Sequence, residues 1–211
     1  MGNVPRTVNG HNLFEVVSGL QKAIRRGQVD DALYWATDMD LSGFSGYLWR
    51  RLFIIACEDI GLANPDAITQ VNALFNAYHA QKPSKNQGPK RLMLAQAVIV
   101  LATSPKSRLV DDAMVVHYWD HENQYREVPD YALDKHTSKG RSQGRGAEHF
   151  AEEGGQLATY SKHPWLTESG VFNPYTNKAM ELEASKAENR KPPEDAGPAG
   201  KQDEQTSWLD D

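Results

Sequence analysis

The chain has 211 residues, 39% of them hydrophobic and 24% charged, a composition that fits one globular domain with a tail and excludes fibrous, collagenous and repeat-array classes. A single cysteine, Cys57, rules out an internal disulfide and a cysteine-based zinc site, and with no charged-then-apolar leader at its start the chain is expected in the reducing cytoplasm. The net charge of −5 is unevenly placed: positions 178–211 carry −4 of it, whereas Lys82 to Arg108 holds six cations and no acid, and Lys135 to Arg145 four cations and no acid.

The first predicted helix contains Leu13, Phe14, Val16, Val17, Leu20 and Ile24 at helical spacing, with Asn12 as N-cap, Glu15 three residues on and Gly27 as the stop. A second, capped by Asp30 or Asp31, runs through Ala32, Leu33, Trp35, Ala36 and Met39 to about Gly43. A third extends from about Ser45 through Leu48, Leu52, Ile55 and Ala56 to Gly61. The triplet Asn64, Pro65, Asp66 predicts the start of a fourth, because Asn caps, Pro at the first position lacks an amide hydrogen that would go unpaired, and Asp suits the helix dipole. This helix reaches about Ala80, and the polar, basic stretch Gln81 to Pro89 reads as an exposed loop. A fifth helix, Lys90 to Thr103, is apolar on most sides and is expected at the centre of a bundle. Its apolar run Leu92 to Ala102 is interrupted by Gln96 and falls short of the ~20 apolar residues needed to cross a bilayer, so no membrane contact is expected. A sixth spans about Ser107 to Glu122, and no segment alternates apolar and polar residues convincingly, which makes the expected fold all-α.

Beyond Val128 the periodicity loosens, with a short helix at about Ala147 to Glu153. The aromatic residues His149, Phe150, Tyr160, Trp165, Phe172 and Tyr175 suggest a loop-rich extension that packs on the helical body. From Lys178 the Lys/Glu/Pro/Gly/Gln bias reads as a disordered acidic tail, apart from a short helix at its start. The expected organisation is therefore a helical domain over 1–127, a basic and aromatic extension over 128–177 and a tail over 178–211.

Three strings in this order, KAIRRGQVDDALYWA at Lys22 to Ala36, RRLFIIACEDIGLANPDA at Arg50 to Ala67 and LAQAVIVLATSPKS at Leu94 to Ser107, resemble the C-terminal part of the RarA/MgsA replication-associated recombination ATPases, bacterial relatives of the Werner-helicase-interacting protein. The resemblance covers about Leu13 to Met114. It implies an all-helical collar domain of the clamp-loader type, homo-oligomers that are tetramers in that family, work at stalled replication forks, and contacts with DNA ends and single-strand-binding protein. The chain departs from the family in having no GxxxxGK[ST] phosphate loop and no acidic Walker B pair, so it is not expected to hydrolyse ATP or to hold a cofactor. The family's usual ending, rich in Tyr, Pro and His, is replaced here by DKHTSKGRSQGRGAEHFAEEG. A domain of this kind is either a fragment of a longer protein or a free one, and Met1 and the acidic ending favour the second.

Several residues carry candidate chemistry. The lysines and arginines Lys82, Lys85, Lys90, Arg91, Arg108, Lys139, Arg141 and Arg145 are candidates for a nucleic-acid backbone or an acidic partner, and the glycine-punctuated KGRSQGRG at Lys139 to Gly146 offers mobile amides that suit phosphate. His117 and His121, four apart with Asp120 beside them, form the low-ranked alternative of a metal-dependent hydrolase or phosphate-handling enzyme, a third ligand coming from Glu122, His136 or His149. Tyr118 stands where a HExxH base would be. Glu58 and Asp59 read as structural carboxylates pointing different ways and paired with Arg50 and Arg51. Trp35, Tyr34, Tyr47, Trp49 and Trp119 read as core in preference to base-stacking platforms. The string TSWLDD at Thr206 to Asp211 sets an apolar pair beside two acids, a composition suited either to a solubilising tail or to a docking peptide for a basic pocket with an apolar floor. The leading expectation is a non-catalytic assembly and DNA- or partner-binding module of replication, recombination and repair, with the metal enzyme and a decoy subunit for a RarA-like ATPase as alternatives.

Overall fold

The computed structural model describes residues 4–156, 166–167, 170–171 and 173–189. Its helices are α1 (Leu13–Arg25), α2 (Val29–Leu41), α3 (Ser45–Ile55), α4 (Ala67–Ala80), α5 (Gly88–Thr103), α6 (Leu109–Trp119), the short α7 (Ser138–Ser142) and α8 (Ala147–His149), and α9 (Thr176–Asn189). The two-residue strands β1 (Leu166–Thr167) and β2 (Gly170–Val171) pair antiparallel, and the fold is all-α in every other respect. Tyr160, Trp165, Phe172 and the string Thr206 to Asp211, all singled out above, lie outside the described residues.

Helices α1 to α5 share one core. Leu13, Val16, Leu20 and Ile24 of α1 meet Ala32, Ala36 and Met39 of α2, and Leu48, Trp49, Leu52 and Ile55 of α3 continue the layer to Val71 of α4 and Leu94, Val98 and Leu101 of α5. Each fully buried aliphatic side chain contributes about 1.5–3 kcal/mol relative to an exposed one, which is how apolar spacing becomes an arrangement of helices. Asn12 caps α1 as expected, its Oδ1 accepting the Phe14 amide at 2.9 Å.

Three local expectations are corrected. Helix α2 begins one residue before Asp30, with Gln28 at the cap, so Asp30 and Asp31 sit in the first turn, where carboxylates favour the dipole. Helix α4 begins at Ala67 and not at Pro65, with Asp66 at its cap, while Asn64 Nδ2 donates to Ser104 Oγ at 2.9 Å and ties the preceding turn to the end of α5. Helix α5 is not buried on most sides. It packs against α4 and α2 through Leu94, Ala97, Val98, Leu101 and Ala102, while Leu92 is 74% and Ile99 40% exposed. Seven residues apart, these two share one face of α5 that the described residues leave largely open at Leu92 and partly open at Ile99.

Helix α6 is shorter than expected, ending at Trp119 before a 3-10 turn over His121–Asn123. A second, smaller core joins its Val115 and Val116 to Ala179 of α9, with Tyr175 and Leu182 at the edge. The short helix expected at the start of the segment from Lys178 is α9, which begins two residues earlier, at Thr176, and runs to Asn189. Tyr175, Ala179 and Leu182 recur at i, i+4 and i+7, a stripe too small to hold a helix alone but sufficient against α6. Asp112 completes the anchor by accepting from Asn173 Nδ2 at 2.7 Å and Thr176 Oγ1 at 3.2 Å.

The glycine-rich segment also differs from a mobile loop. Thr137 Oγ1 accepts the Gly140 amide at 3.0 Å and caps α7, and Gly140 is buried against the preceding turn. A Cβ built on Gly140 would lie 2.0 Å from the Asp134 carbonyl oxygen and 2.6 Å from that of Leu133, both backbone atoms. Gly140→Ala is therefore expected to force the 133–140 turn apart, at a cost of about 1–3 kcal/mol to that segment. Hydrogen exchange should register it as lost protection of the Gly140 and Arg141 amides, with α1 to α5 unchanged; equal protection in both proteins would reject this packing.

Candidate functional site

The cations fall into two physical classes. In the first are Lys82 and Lys85, exposed on the loop between α4 and α5 with no ion pair among the described residues, and Lys139, exposed on α7. Lys90 joins them from the first turn of α5, half-buried with its ammonium 4.9 Å from the centroid of the Tyr78 ring. Arg91 follows, more than half exposed, its Nε 3.4 Å from Asp40 Oδ2. The loop and the turn after it thus carry four cations, and Gly88 and Pro89 start the helix without adding an acid.

In the second class the guanidinium groups are already used. Arg145 donates to the Asp130 and Leu133 carbonyls at 2.7 and 2.9 Å and to Asp130 Oδ1 at 2.6 Å. That hydrogen bond from Arg145 is the main cause holding the Asp130 carboxyl below the usual range. Arg141 donates to the Lys135 and His136 carbonyls at 3.2 and 3.1 Å. Asp134 accepts from the His136 amide at 2.9 Å and meets its ring Nδ1 at 2.9 Å, and these contacts likewise lower the Asp134 carboxyl pKa. Phe150 lies against Lys135 and His136 of the same segment. The segment is thus knotted to itself, and its amides are not presented as a phosphate cradle.

Arg108 belongs to an ionic hub that sequence reasoning reached only in part. After α3 the backbone widens into a π-turn over Ala56–Ile60 and closes at Gly61, whose φ of +49° suits a residue without a side chain. Within this turn Asp59 is wholly buried, and Glu58 and Asp59 converge where different directions were expected. Arg25, in the last turn of α1, donates through Nε to Asp59 Oδ1 and through one terminal nitrogen to Glu58 Oε1 at 2.9 Å. Arg108, just before α6, reaches Glu58 Oε1 at 3.1 Å and also binds Asp111. Gln21 Nε2 donates to Asp59 Oδ2 at 3.0 Å, and the Ser107 amide donates to the Asp59 carbonyl at 2.9 Å.

The carboxylates therefore pair with Arg25 and Arg108, from distant parts of the chain, while Arg51 donates to Gln21 Oε1 at 2.7 Å. Burial opposes the Arg108 charge, but Asp111, Glu58 and Asp59 outweigh it and raise its pKa. Lys106 alongside is lowered, its desolvation exceeding the attraction of Asp59. The hub ties α1, the π-turn and α6 together.

His117 and His121 line one surface hollow with Glu122 and Arg126. His117, however, meets the Tyr175 ring edge-on at 5.2 Å between centroids. Asp120 accepts from Asn123 and Gln124 at 3.0 and 3.1 Å and lies 3.4 Å from Lys178; the two amide contacts lead the causes that lower its pKa. No group of three His, Cys, Asp or Glu residues placed to hold a metal ion occurs among the described residues. Of the aromatic residues, Trp49 is buried between Phe75 and Tyr78 and Trp35 packs against His11 and Tyr34, whereas Tyr34 and Trp119 keep exposed surface. No described helix is long and apolar enough to cross a membrane.

Sequence comparison matches residues 27–190 to the family described as "MgsA AAA+ ATPase C terminal". Among curated proteins, the chain is 30% identical to replication-associated recombination protein A of Haemophilus influenzae over 82% of its own length and 39% of that protein's. It is 33% identical to the protein of the same name from Escherichia coli K12 over 60% of its length and 27% of the relative's, and 33% identical to that from Bacillus subtilis over 67% and 33%. The chain thus spans at most about two fifths of these relatives. The match runs from just after α1 through α9, well past the strings that carry the resemblance, and takes in the smaller core and the share of the main core that α2 to α5 supply. The chain belongs to the C-terminal family of the MgsA AAA+ ATPases.

Proposed function

We propose that this chain is a non-catalytic assembly module of replication and recombination that self-associates through α5 and presents a lysine-rich loop to a nucleic-acid backbone in the cytoplasm. The observation that supports this reading most is the coincidence at one end of α5. The exposed, acid-free run Lys82 and Lys85 leads through Lys90 and Arg91 directly to Leu92, the start of the exposed Leu92/Ile99 face. Exposed apolar side chains at helical spacing suit a second helix, and Lys82 and Lys85, with no ion pair among the described residues, suit phosphates, because neutralised phosphates release counterions without any base being read. The relatives' names connect them with replication-associated recombination, and the family match is to the C-terminal part of an AAA+ ATPase and not to its ATPase module. Lys139, exposed on α7, offers a further phosphate contact, whereas Arg108, Arg141 and Arg145 hold their own local structure through the bonds they already make.

Size-exclusion chromatography with light scattering, repeated with a fluorescent fork DNA at low and high salt, tests both halves. The expected result is an oligomer that shifts the DNA at low salt only. The double variant Lys82→Glu/Lys85→Glu should weaken binding at least tenfold and reduce the slope of log affinity against log salt by about 2, roughly one for each phosphate that is no longer neutralised. Leu92→Glu/Ile99→Glu should give monomers with the fold retained, since both side chains are exposed. A monomer indifferent to DNA, or binding that ignores salt, would overturn the proposal.

A further inference from the structure

A hollow of about 410 Å³ lies between α1 and α3, and no residue of the lysine loop lines it. Phe14, Val17, Tyr47 and Ile54 give it apolar walls, and Arg50 and Arg51 line it with Ser18 and Gln21; no carboxylate of the described residues does. Both arginines come from α3, one residue apart, so two cationic side chains spread from one helix over a shared apolar surface. Arg51 donates one terminal nitrogen to Gln21, while its buried Nε has no acceptor among the described residues. A buried guanidinium N–H without a partner costs free energy that an incoming carboxylate would recover. The hollow therefore fits a short ligand with one or two bulky apolar side chains next to acids.

The chain itself supplies a segment of this composition. TSWLDD at Thr206 to Asp211 sets Trp208 and Leu209 immediately before Asp210 and Asp211 and contains no cation. We infer that Thr206 to Asp211 docks in the α1/α3 hollow of the same chain, with Trp208 and Leu209 on the apolar walls and the two aspartates on Arg50 and Arg51.

Reach is sufficient. Asn189, the last residue of α9, is 17 residues before Thr206. At full extension these span about 56 Å, more than the ~40 Å diameter of a domain of this size. Tethering supplies an effective concentration on the order of millimolar, so a contact that is weak between separate molecules is populated within one. The segment would then occupy the hollow until a competing acidic and apolar peptide displaced it.

The test uses a fluorescein-labelled TSWLDD peptide and the full-length protein, with binding read by anisotropy. The unaltered chain should bind the probe weakly, because its own segment fills the hollow. The variant Trp208→Ala/Asp210→Asn should bind it at least tenfold more tightly, and the difference should not change when the protein is diluted. Adding Arg51→Glu to that variant should abolish binding. Ile54→Glu, at an exposed position of the same hollow, should do so too and guards against a folding defect in the first. Equal affinity of the unaltered and tail variants, or tight binding that survives Arg51→Glu and Ile54→Glu, would overturn the inference. An affinity difference that fades on dilution would also overturn it, because it would assign the hollow to the tail of a second copy. None of these readouts involves DNA or the α5 face.

Discussion

Trp49→Ala should destabilise the protein by about 3–5 kcal/mol and lower its thermal midpoint by roughly 10 °C. Trp49 is 1% exposed and sits where α3 meets α4, edge-on to Phe75 at 5.6 Å and to Tyr78 at 5.4 Å between ring centroids. Phe75 in turn stands edge-on to Phe53 at 5.3 Å, so the indole anchors an aromatic cluster as well as filling volume. Truncation removes its buried surface and leaves a void that neighbours on two rigid helices fill only in part. Trp49→Phe separates the contributions. The indole Nε1 is buried with no acceptor among the described residues, so phenylalanine keeps a ring in place and relieves an unpaired donor. Its cost should stay below about 1.5 kcal/mol. Urea unfolding followed by circular dichroism measures both, and a Trp49→Ala loss under about 1 kcal/mol would mean that this cluster does not clamp α3 to α4.

The helices were legible in the sequence to the extent that one face of each is apolar. The periodicity of α1 and α3 names their buried residues, and Asn12 and Gly27 mark the ends of α1. The starts of α2 and α4 were misplaced by one or two residues because capping rules rank residue types, whereas Gln28 and Asp66 stand at these caps and neither makes a side-chain cap bond. Helix α5 looked central because its composition is apolar almost throughout, yet composition cannot say how many sides have neighbours; a short helix near Lys178 was readable, but its packing on α6 was not, because the stripe Tyr175, Ala179, Leu182 is too sparse to stand out. The basic loop at Lys82 and Lys85 was readable, since the absence of acids nearby is itself a sequence property. Which cations are already engaged was not. Arg108 pairs with Glu58 at 50 residues' separation and Arg25 with it at 33, and no local spacing encodes such pairs. The signal available was the EDIG string itself: a carboxylate pair ahead of a helix-ending glycine amid apolar residues has to find cations from elsewhere in the fold.

Asp59→Ala should cost about 3 kcal/mol and loosen α6 from α1. Breaking a buried ion pair from its buried side is worth about 3–5 kcal/mol, because the partner charges stay behind. The lower end applies here, since the Arg25 and Arg108 side chains are each 35% exposed and Glu58 remains to receive both. Asp59→Asn should cost less, as the amide oxygen still accepts from Gln21 or Arg25 although the charge is gone. Arg25→Met should be milder than Asp59→Ala, because its loss leaves Asp59 with Arg108 and Gln21, and the cycle formed by the two single variants and the double should give a coupling of at least about 1 kcal/mol. Location distinguishes the hub from a general core defect. The Ser107 amide donates to the Asp59 carbonyl, so movement of the π-turn should raise exchange at Ser107 and across the start of α6 before it reaches α2 or α4. Uniform loss of protection through all of α1 to α6, or a cost below about 1 kcal/mol, would show that α6 is held by its apolar contacts alone and that the paired carboxylates serve something other than the joint between these helices.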